Sequence, residues 1–368
     1  MNQRLFKILV PLFTLGICVV FIEIGLSFYF GKNDTYYVWR PHLEYTFGLD
    51  DVTLRGVSKF ARSTYSSLGI RSDEISPQIT YKIAAFGGST TECAALDQNA
   101  TWTQLIQSSL NKDKGKDNFW VGNFGKSGND THHHILQTKK MLENKQLNDT
   151  KLVLYLVGFN DANRAMKNMN KYLNLDQEEL RRASFMVVPD EDLPLHRRTA
   201  IWKFLKHVRF NLRLNKYEKE ELAELYSQVR KKRLEVAKTD VMPNLEAGLN
   251  RYRKNLDSIV KLCKSLNKTP VFISQPVLWR PNISKESEQV LYTYFKENPN
   301  LETRTLFNCM KQFNQVLEEV AANNKVTYVD LFSRSQEDWF YDDCHFNRKG
   351  SQEVSAIILD VLRPILKQ

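Results

Sequence analysis

From residue 80 to the C-terminus, short apolar segments of strand length alternate with longer segments of helical periodicity. The strand-like segments are residues 81–86, 119–124, 152–157, 270–274 and 326–331. The helical segments include residues 102–110, 132–145, 307–323 and 352–366. Apolar strands that alternate with helices predict a parallel sheet covered by helices on both faces. We therefore expect an α/β fold of three layers, α/β/α, with a central, mostly parallel sheet.

This alternation is interrupted between residues 162 and 262, where the chain is highly charged and mostly helical in pattern. We interpret this stretch as a helical insertion in the sheet domain rather than as a second catalytic domain. Its basic amphipathic helices could contact anionic lipid headgroups or form a lid. Solvated helix faces without any partner explain the same pattern.

An apolar segment of residues 8–30 lies near the N-terminus, with Glu23 as its one charged residue. The segment is long enough to cross a bilayer and longer than the apolar region of a typical signal peptide. Arg4 and Lys7 precede it, which favours a cytoplasmic N-terminus and an extracytoplasmic remainder. Residues 1–31 are therefore expected to be an uncleaved, single-pass signal anchor, with cleavage as the alternative. Glu23 should lie near the outer interface or face a partner helix.

The remaining organisation follows from these segments. Residues 32–79 have no clean period and are expected to form an irregular N-terminal arm or small cap, and residues 80–368 the main domain. The formal net charge of +10 raises the question of nucleic acid as a partner. No nucleic-acid motif is present, and much of the basic excess lies in the insertion, so we expect no nucleic-acid partner. The oligomeric state is not predicted.

The five cysteines form no CxxC pair, so zinc and thioredoxin-like sites are not indicated. Their odd number and wide spacing do not indicate a disulfide framework, although one bridge is possible in an extracytoplasmic domain. Residues 132–134 are three consecutive histidines. Consecutive residues on a helix point in different directions, which argues against a metal site there.

Ser89 follows the segment 81–86 and two glycines, Gly87 and Gly88. Glycines allow a sharp turn off the sheet, which leaves Ser89 at the carboxyl end of a parallel strand, where open α/β sheets bind ligands. A phosphate-binding loop is the competing interpretation, but the lysine of that motif is missing.

Two further turns follow the next two strand-like segments. Gly128 lies in a glycine-rich turn after residues 119–124, and its neighbourhood can direct a backbone N–H into the same cleft. Asn160 follows residues 152–157, and its amide can donate to a developing oxyanion.

The fourth element lies near the C-terminus, where Asp342 precedes His345 by three residues. An aspartate at this spacing can bend back to bond the Nδ1–H of the histidine and direct Nε2 toward a nucleophile. Cys344 invites a Cys–His interpretation, but adjacent side chains on an extended loop point in different directions.

Taken in order, these turns resemble the blocks of the SGNH hydrolase family, also called GDSL esterases and lipases. The matching residues, in the order of the family's Ser, Gly, Asn and His, are Ser89, Gly128, Asn160 and His345. The resemblance covers roughly residues 80 to 365 and implies a flavodoxin-like sheet order. One departure is Gly88, where the family usually has an aspartate that is not its catalytic acid.

The resemblance implies a catalytic triad of Ser89, Asp342 and His345. It also implies an oxyanion hole built from the N–H groups of Ser89 and Gly128 and from the Asn160 side chain. No cofactor or metal is required. The expected activity is hydrolysis of an acyl ester, most simply an acetyl ester, of a small molecule, carbohydrate or lipid.

Two alternatives stay open at this point. The same site could transfer an acetyl group to a surface polysaccharide, because a sugar hydroxyl can replace water in resolving the acyl-enzyme. A non-catalytic binding protein on the same fold is the third interpretation. The sequence predicts neither the substrate nor the acyl-chain length.

Overall fold

The computed structural model describes residues 3–48, 54–114, 118–167, 176–217, 221–295 and 300–366. They form two compact units. One comprises residues 1–36 and 187–216, and the other residues 37–186 and 217–368. We describe each unit by itself and refer to the larger one as the sheet unit.

Nine strands are described, all of them in the sheet unit. They are β1 (Glu44–Gly48), β2 (Phe60–Thr64), β3 (Tyr81–Gly87), β4 (Phe119–Asn123), β5 (Leu152–Leu156), β6 (Lys238–Thr239), β7 (Thr269–Ile273), β8 (Asn300–Leu301) and β9 (Thr327–Val329).

Thirteen α-helices are described across the two units. They are α1 (Gln3–Phe30), α2 (Ser89–Glu92), α3 (Trp102–Lys114), α4 (Thr131–Leu142), α5 (Phe159–Met166), α6 (Gln177–Ser184), α7 (Leu195–Arg198), α8 (Ala200–Tyr217), α9 (Glu221–Glu235), α10 (Glu246–Ser265), α11 (Lys285–Gln289), α12 (Thr303–Asn324) and α13 (Arg348–Ile365).

The central sheet has five strands in the order β4-β3-β5-β7-β9, and every neighbouring pair is parallel. Its middle strand β5 is buried along its whole length, as expected for a strand covered on both faces. Helices α3 and α13 pack together, and α10 packs against α4 and α12. The predicted α/β fold with a central parallel sheet is confirmed.

The register brings the ends of the strands together at one edge. Gly87 of β3 is paired with Leu156 of β5, which is paired with Ile273 of β7. The turns that carry Ser89, Gly128 and Asn160 all leave the sheet at this carboxyl edge. The edge is therefore where the sequence-predicted residues meet.

The arm of residues 32–79 is more ordered than its sequence pattern indicates. Strands β1 and β2 form a two-stranded antiparallel sheet, and Val38, Ala61 and Ile70 are fully buried. The strands escaped prediction because they are short and alternate between exposed and buried positions. From residue 37 onward this segment belongs to the sheet unit rather than forming a separate cap.

Most of helix α10 lies in the range expected as an insertion, residues 162–262, yet the helix belongs to the sheet layers. It buries Tyr252, Leu256, Ile259, Val260 and Cys263 and leads directly into β7. It is thus a crossover helix between β5 and β7, and the added segment ends before residue 246. Charged residues on its exposed face conceal this role in the sequence.

The smaller unit contains α1, α7 and most of α8. Residues Lys7–Phe30 of α1 are long and apolar enough to cross a membrane, by length and composition, and they are exposed. A signal sequence has the same properties. The carboxylate of Glu23 accepts hydrogen bonds from the N–H groups of Ala200 and Ile201 at 2.5 and 2.9 Å. Glu23 therefore faces the start of a partner helix, one of the two expected positions.

Candidate active site

The serine at the site lies directly after the central strand β3. Ser89 begins the short helix α2, and its side chain is half-buried. A side chain at Gly88 would place a Cβ atom 2.5 Å from Nδ2 of Asn160, and one at Gly87 would meet Oγ1 of Thr91 at 2.1 Å. The two glycines are required because the turn passes this close to its neighbours.

Ser89, His345 and Asp342 form one continuous hydrogen-bonded chain. Nε2 of His345 lies 2.6 Å from Oγ of Ser89, and Nδ1 lies 2.7 Å from Oδ2 of Asp342. The serine and the histidine are 256 positions apart in the sequence. The fold thus brings together the three residues that the sequence predicts as a triad, with each ring nitrogen in its expected position.

The Asp342 carboxylate is fully buried and well supplied with donors. Oδ1 accepts from the N–H groups of Cys344 and His345 at 3.0 and 2.8 Å. Oδ2 accepts from the hydroxyl of Tyr226 at 3.1 Å in addition to its contact with the imidazole. A buried carboxylate needs such donors, because an unpaired charge away from water is costly.

Two tyrosine rings stack on the His345 ring. The rings of the buried Tyr341 and the partly buried Tyr292 are nearly parallel to it, with centroids at 5.6 and 6.3 Å. Burial lowers the pKa of His345, but the Asp342 carboxylate outweighs burial, and the net effect is a raised pKa. The imidazole is therefore held in place and made more basic, which suits a group that takes a proton from a hydroxyl.

Gly128 and Asn160 lie at the adjoining turns of the same edge. Gly128 has a φ of +80°, a left-handed conformation that favours glycine. Among the described residues, the N–H groups of Ser89 and Gly128 donate to no other group. Nδ2 of Asn160 donates to the carbonyl of Asn129 at 2.7 Å, and an amide nitrogen carries a second hydrogen. Donors for an oxyanion are therefore available here.

Arg164 of α5 holds the Gly128 turn. Its Nη2 donates to the carbonyl oxygen of Gly128 at 2.7 Å, and its Nη1 donates to the carboxylate of Asp130. Asp130 in turn caps α4 by accepting from the N–H groups of His132 and His133. This charge-assisted clamp fixes the peptide that links Gly128 to Asn129 and so holds the turn in place.

Asp161 lies next to this clamp. Its carboxylate accepts from the hydroxyl of Thr131 at 2.6 Å. Burial, reinforced by the Asp130 carboxylate, raises the pKa of Asp161 to about 7. The residue beside Asn160 therefore changes charge near neutral pH.

The far end of α2 is held by two buried groups. Arg71 of the N-terminal arm donates to the carbonyl oxygens of Glu92, Cys93 and Leu96 at 2.5 to 2.7 Å. The Glu92 carboxylate accepts from both N–H and Oγ of Ser127, at 2.7 and 2.6 Å. Burial raises the pKa of Glu92, although the donations from Ser127 oppose this. The arm thus contributes directly to the position of the Ser89 helix.

Cys344 does not take the position of the serine. Its buried Sγ lies 3.9 Å from Nδ1 of His345, the nitrogen that faces Asp342, and burial raises its pKa well above the ordinary value. A thiol held protonated is a weak nucleophile. All five cysteines are free, so the single disulfide that the sequence allowed is not formed.

The three consecutive histidines have separate partners. The Nδ1 atoms of His132, His133 and His134 contact Arg251, Asp130 and Gln137, respectively. Within the described ranges, one set of possible metal ligands lies close together: Asp342, Cys344 and His345, with ligand atoms within 4.8 Å of one another. Of these three, Asp342 and His345 are already hydrogen-bonded to each other, and His345 also contacts Ser89.

Comparison with known proteins agrees with this geometry. Residues 85–353 match the GDSL-like Lipase/Acylhydrolase family. The match covers well over half of the sequence, so the chain belongs to this family and is an esterase. A search of curated proteins finds no match.

Solved structures with a similar fold include three hydrolases. LAE5, an alpha/beta hydrolase enzyme from the metagenome of Lake Arreo, Spain, shares 14% identity over 77% of this chain and 95% of its own, with a TM-score of 0.42. The acetyl xylan esterase AlAXEase shares 11% over 76% and 98%, with a TM-score of 0.42. Axe2, an acetylxylan esterase from Geobacillus stearothermophilus, shares 14% over 77% and 94%, with a TM-score of 0.40.

Sequence reasoning missed the residues that support the site. Tyr226, Arg71 and Arg164 all contact it through hydrogen bonds that no local motif encodes. Arg71 is buried and needs several acceptors, but its burial is visible only in the structure.

Proposed function

We propose that the protein is a serine ester hydrolase that works through an acyl-enzyme on Ser89. The observation that carries this proposal is the His345 imidazole, which contacts Ser89 with one nitrogen and Asp342 with the other. Oγ of Ser89 attacks the ester carbonyl while Nε2 of His345 takes the hydroxyl proton. Asp342 holds the imidazole in the required tautomer and stabilises the imidazolium that forms.

The negative charge on the carbonyl oxygen then requires donors. We assign them to the N–H groups of Ser89 and Gly128 and to Nδ2 of Asn160. Donors fixed before the reaction need no reorganisation in the transition state. Loss of one such donor raises the activation barrier by about 3–4 kcal/mol. The clamp made by Arg164 supports this assignment, because it holds the turn that carries Gly128 through that residue's carbonyl oxygen.

The intermediate collapses when His345 protonates the leaving alcohol. Water enters in its place, His345 takes a proton from it, and the hydroxide oxygen attacks the acyl carbon of Ser89. Expulsion of Oγ with the return of that proton regenerates the serine and releases the carboxylic acid. Every step uses groups of this chain and water.

The size of the adjoining cavity supports an acetyl group as the acyl part. A cavity of about 10 Å³ is lined in part by Ser89, Asn160, His134 and Gln275. This volume is that of one small group, such as a water molecule or a methyl group. A longer acyl chain would have to extend beyond this cavity.

The proposed location of the protein limits which esters its site can reach. We propose that Lys7–Phe30 is an uncleaved anchor with its N-terminus in the cytoplasm, because Arg4 and Lys7 precede the span. The catalytic residues then lie outside the cytoplasm. Esters available there are those of surface carbohydrates and lipids, which we propose as the substrate class.

The experiment uses the full chain in detergent with a serine-directed alkyl phosphonate and a series of p-nitrophenyl esters. We expect stoichiometric labelling of Ser89, loss of label and activity in Ser89→Ala, and a steep fall in kcat/KM from acetate to butyrate to octanoate. Ser258→Ala, on the exposed face of α10, is the matched control.

Three outcomes would contradict parts of this proposal. A folded protein that stays unlabelled and inactive would indicate a binding protein on the same fold. Labelling of Ser89 with acetate transferred to an added polysaccharide, and little release to water, would indicate an acetyltransferase. Equal rates on acetate and octanoate would overturn the acetyl preference while leaving the hydrolase assignment in place.

A further inference from the structure

Helix α8 of the smaller unit is amphipathic and unusually basic. Its 18 residues include five lysines and arginines and no acidic residue. Three aliphatic side chains spaced three and four apart, Leu205, Val208 and Leu212, have exposed fractions of 54%, 37% and 66%. At this spacing they share one face of the helix, and Lys206 and Arg209 are exposed beside them.

The start of α8 is attached to the apolar helix α1. Glu23 accepts from the first two N–H groups of α8, and Nζ of Lys203 donates to the carbonyl oxygen of Gly31 at 2.7 Å. The ring of Phe30 contacts the ring of Phe204, with centroids 6.3 Å apart. The first turns of α8 therefore run beside the last turns of α1.

This attachment fixes the depth at which α8 begins. Glu23 lies seven residues before the end of α1, which corresponds to about 10 Å at the rise of an α-helix. If α1 spans the membrane, the N-terminus of α8 lies within the outer leaflet. The pairing also meets two needs at once. An acid within a membrane span requires donors, and a helix N-terminus has unpaired N–H groups and a partial positive charge.

We propose that α8 is a second membrane-contacting element, which lies at the boundary of headgroups and acyl chains. Leu205, Val208 and Leu212 enter the apolar layer, and Lys206 and Arg209 bind anionic headgroups. This inference rests on the membrane anchoring of α1 proposed above. It goes beyond anchoring because it assigns a lipid-binding surface to a segment far from the N-terminus.

Lipid is the occupant that the charges and the neighbourhood favour. The exposed aliphatic side chains of α8 lie in the same unit as α1, on which Phe21, Ile24 and Phe28 are exposed. A second copy of α8 would bring together basic residues with no acid on the helix to pair them. Anionic headgroups supply the missing negative charge.

The test uses the full chain with Cys18→Ser, because Cys18 is the exposed cysteine and the other four are buried. An environment-sensitive fluorophore is placed at Leu205→Cys, Val208→Cys or Leu212→Cys, at Lys206→Cys on the basic face, and at Phe21→Cys within α1. Each protein is reconstituted into phosphatidylcholine vesicles with or without phosphatidylglycerol. Emission is quenched by lipids with a nitroxide on the acyl chain or by iodide in the water.

We expect lipid nitroxide to quench the probes at positions 21, 205, 208 and 212 strongly, and iodide to quench the probe at 206. Phosphatidylglycerol should strengthen lipid quenching at 205 and 208, and Lys206→Glu with Arg209→Glu should abolish that increase.

Quenching at 21 by lipid, with 205 and 208 open to iodide, would overturn the inference and leave the anchor intact. Lack of lipid quenching at all positions would overturn the anchor itself. Probes at 205 and 208 shielded from both quenchers would indicate a protein occupant, such as a second copy, and would also overturn the inference.

Discussion

The hydroxyl of Tyr226 donates to Oδ2 of Asp342, the same oxygen that receives the imidazole of His345. Tyr226 lies on α9, between the strands β5 and β7, in a segment that the sequence assigns to an insertion. Arg230 of the same helix donates to the carbonyl oxygens of Val290 and Tyr341 at 3.0 and 3.1 Å. Helix α9 is thus hydrogen-bonded to the loop that carries Asp342 and His345.

Tyr226→Phe should change the pH dependence of catalysis rather than only its rate. Loss of the donor leaves more negative charge on Asp342, which stabilises the imidazolium and raises the pKa of His345 further. Because His345 must be neutral to accept a proton, the acid limb of kcat/KM should move to higher pH, by about half a unit to one unit. Steady-state rates on p-nitrophenyl acetate across pH measure this shift.

Tyr292→Phe is the matched control for this variant. Its ring also stacks on His345, and in the described part of the chain its hydroxyl has no hydrogen bond to Asp342. We expect an unchanged acid limb. An equal shift in both variants, or a rate loss in Tyr226→Phe that is the same at every pH, would show that Tyr226 contributes only to folding.

The wild-type protein should lose activity as the pH falls through a value above 6.5, the ordinary pKa of histidine. Asp342 raises the pKa of His345, so protonation of the base begins at a higher pH than for a free imidazole. A profile of kcat/KM between weakly acidic and alkaline pH reports this limb. A limb well below 6.5 would contradict the assignment of His345 as the base.

Asp342→Asn should lower kcat by about 10⁴-fold, the effect seen when an amide fixes the wrong histidine tautomer in a serine triad. The adjacent Asp343→Asn is a suitable comparison. Asp343 is equally buried but accepts from Trp279 Nε1 and from the N–H groups of Tyr292 and Thr293 instead. It should lower the free energy of unfolding more than the rate per folded molecule. Equal kcat losses would argue against a specific role for Asp342.

Asn160→Ala should lower kcat by about 10²–10³-fold with little change in KM, because its donor acts mainly in the transition state. Asn163→Ala, one turn later on α5, should retain near wild-type kcat. A large rise in KM with normal kcat in Asn160→Ala would instead assign this residue to ground-state binding of the substrate.

Asp161→Asn should remove a pH-dependent loss of stability. The pKa of Asp161 is raised from 3.8 to about 7, so folding favours its protonated form. The stabilisation of the folded state by protonated Asp161 is fully present below about pH 4 and is lost as the pH rises through about 7. Chemical unfolding of both proteins at acidic and alkaline pH should show that the wild type loses stability relative to the variant. A constant difference would contradict the raised pKa.

The sequence predicts the sheet and the four site turns because these depend on local patterns. Each buried strand is an apolar run that ends in Gly, Ser or Asn, and the spacing of Asp342 and His345 is itself a local geometry. Contacts between distant segments produce no such local pattern in the sequence. Tyr226 and Asp342 are 116 positions apart, and nothing in either neighbourhood predicts that they meet. The sequence places most of helix α10 in the insertion because its seven charged residues outnumber the five apolar residues that it buries.

The contacts of Arg71 define where the catalytic unit begins. The family match starts at residue 85, yet the carbonyl groups at the end of α2 depend on a side chain 14 positions earlier. A protein trimmed to the matched boundary would lose the Arg71 guanidinium, which donates to all three of these carbonyl oxygens, and with it one support of the Ser89 helix. The unit that holds the site begins in the arm, at residue 37, and homology alone would set its boundary too late.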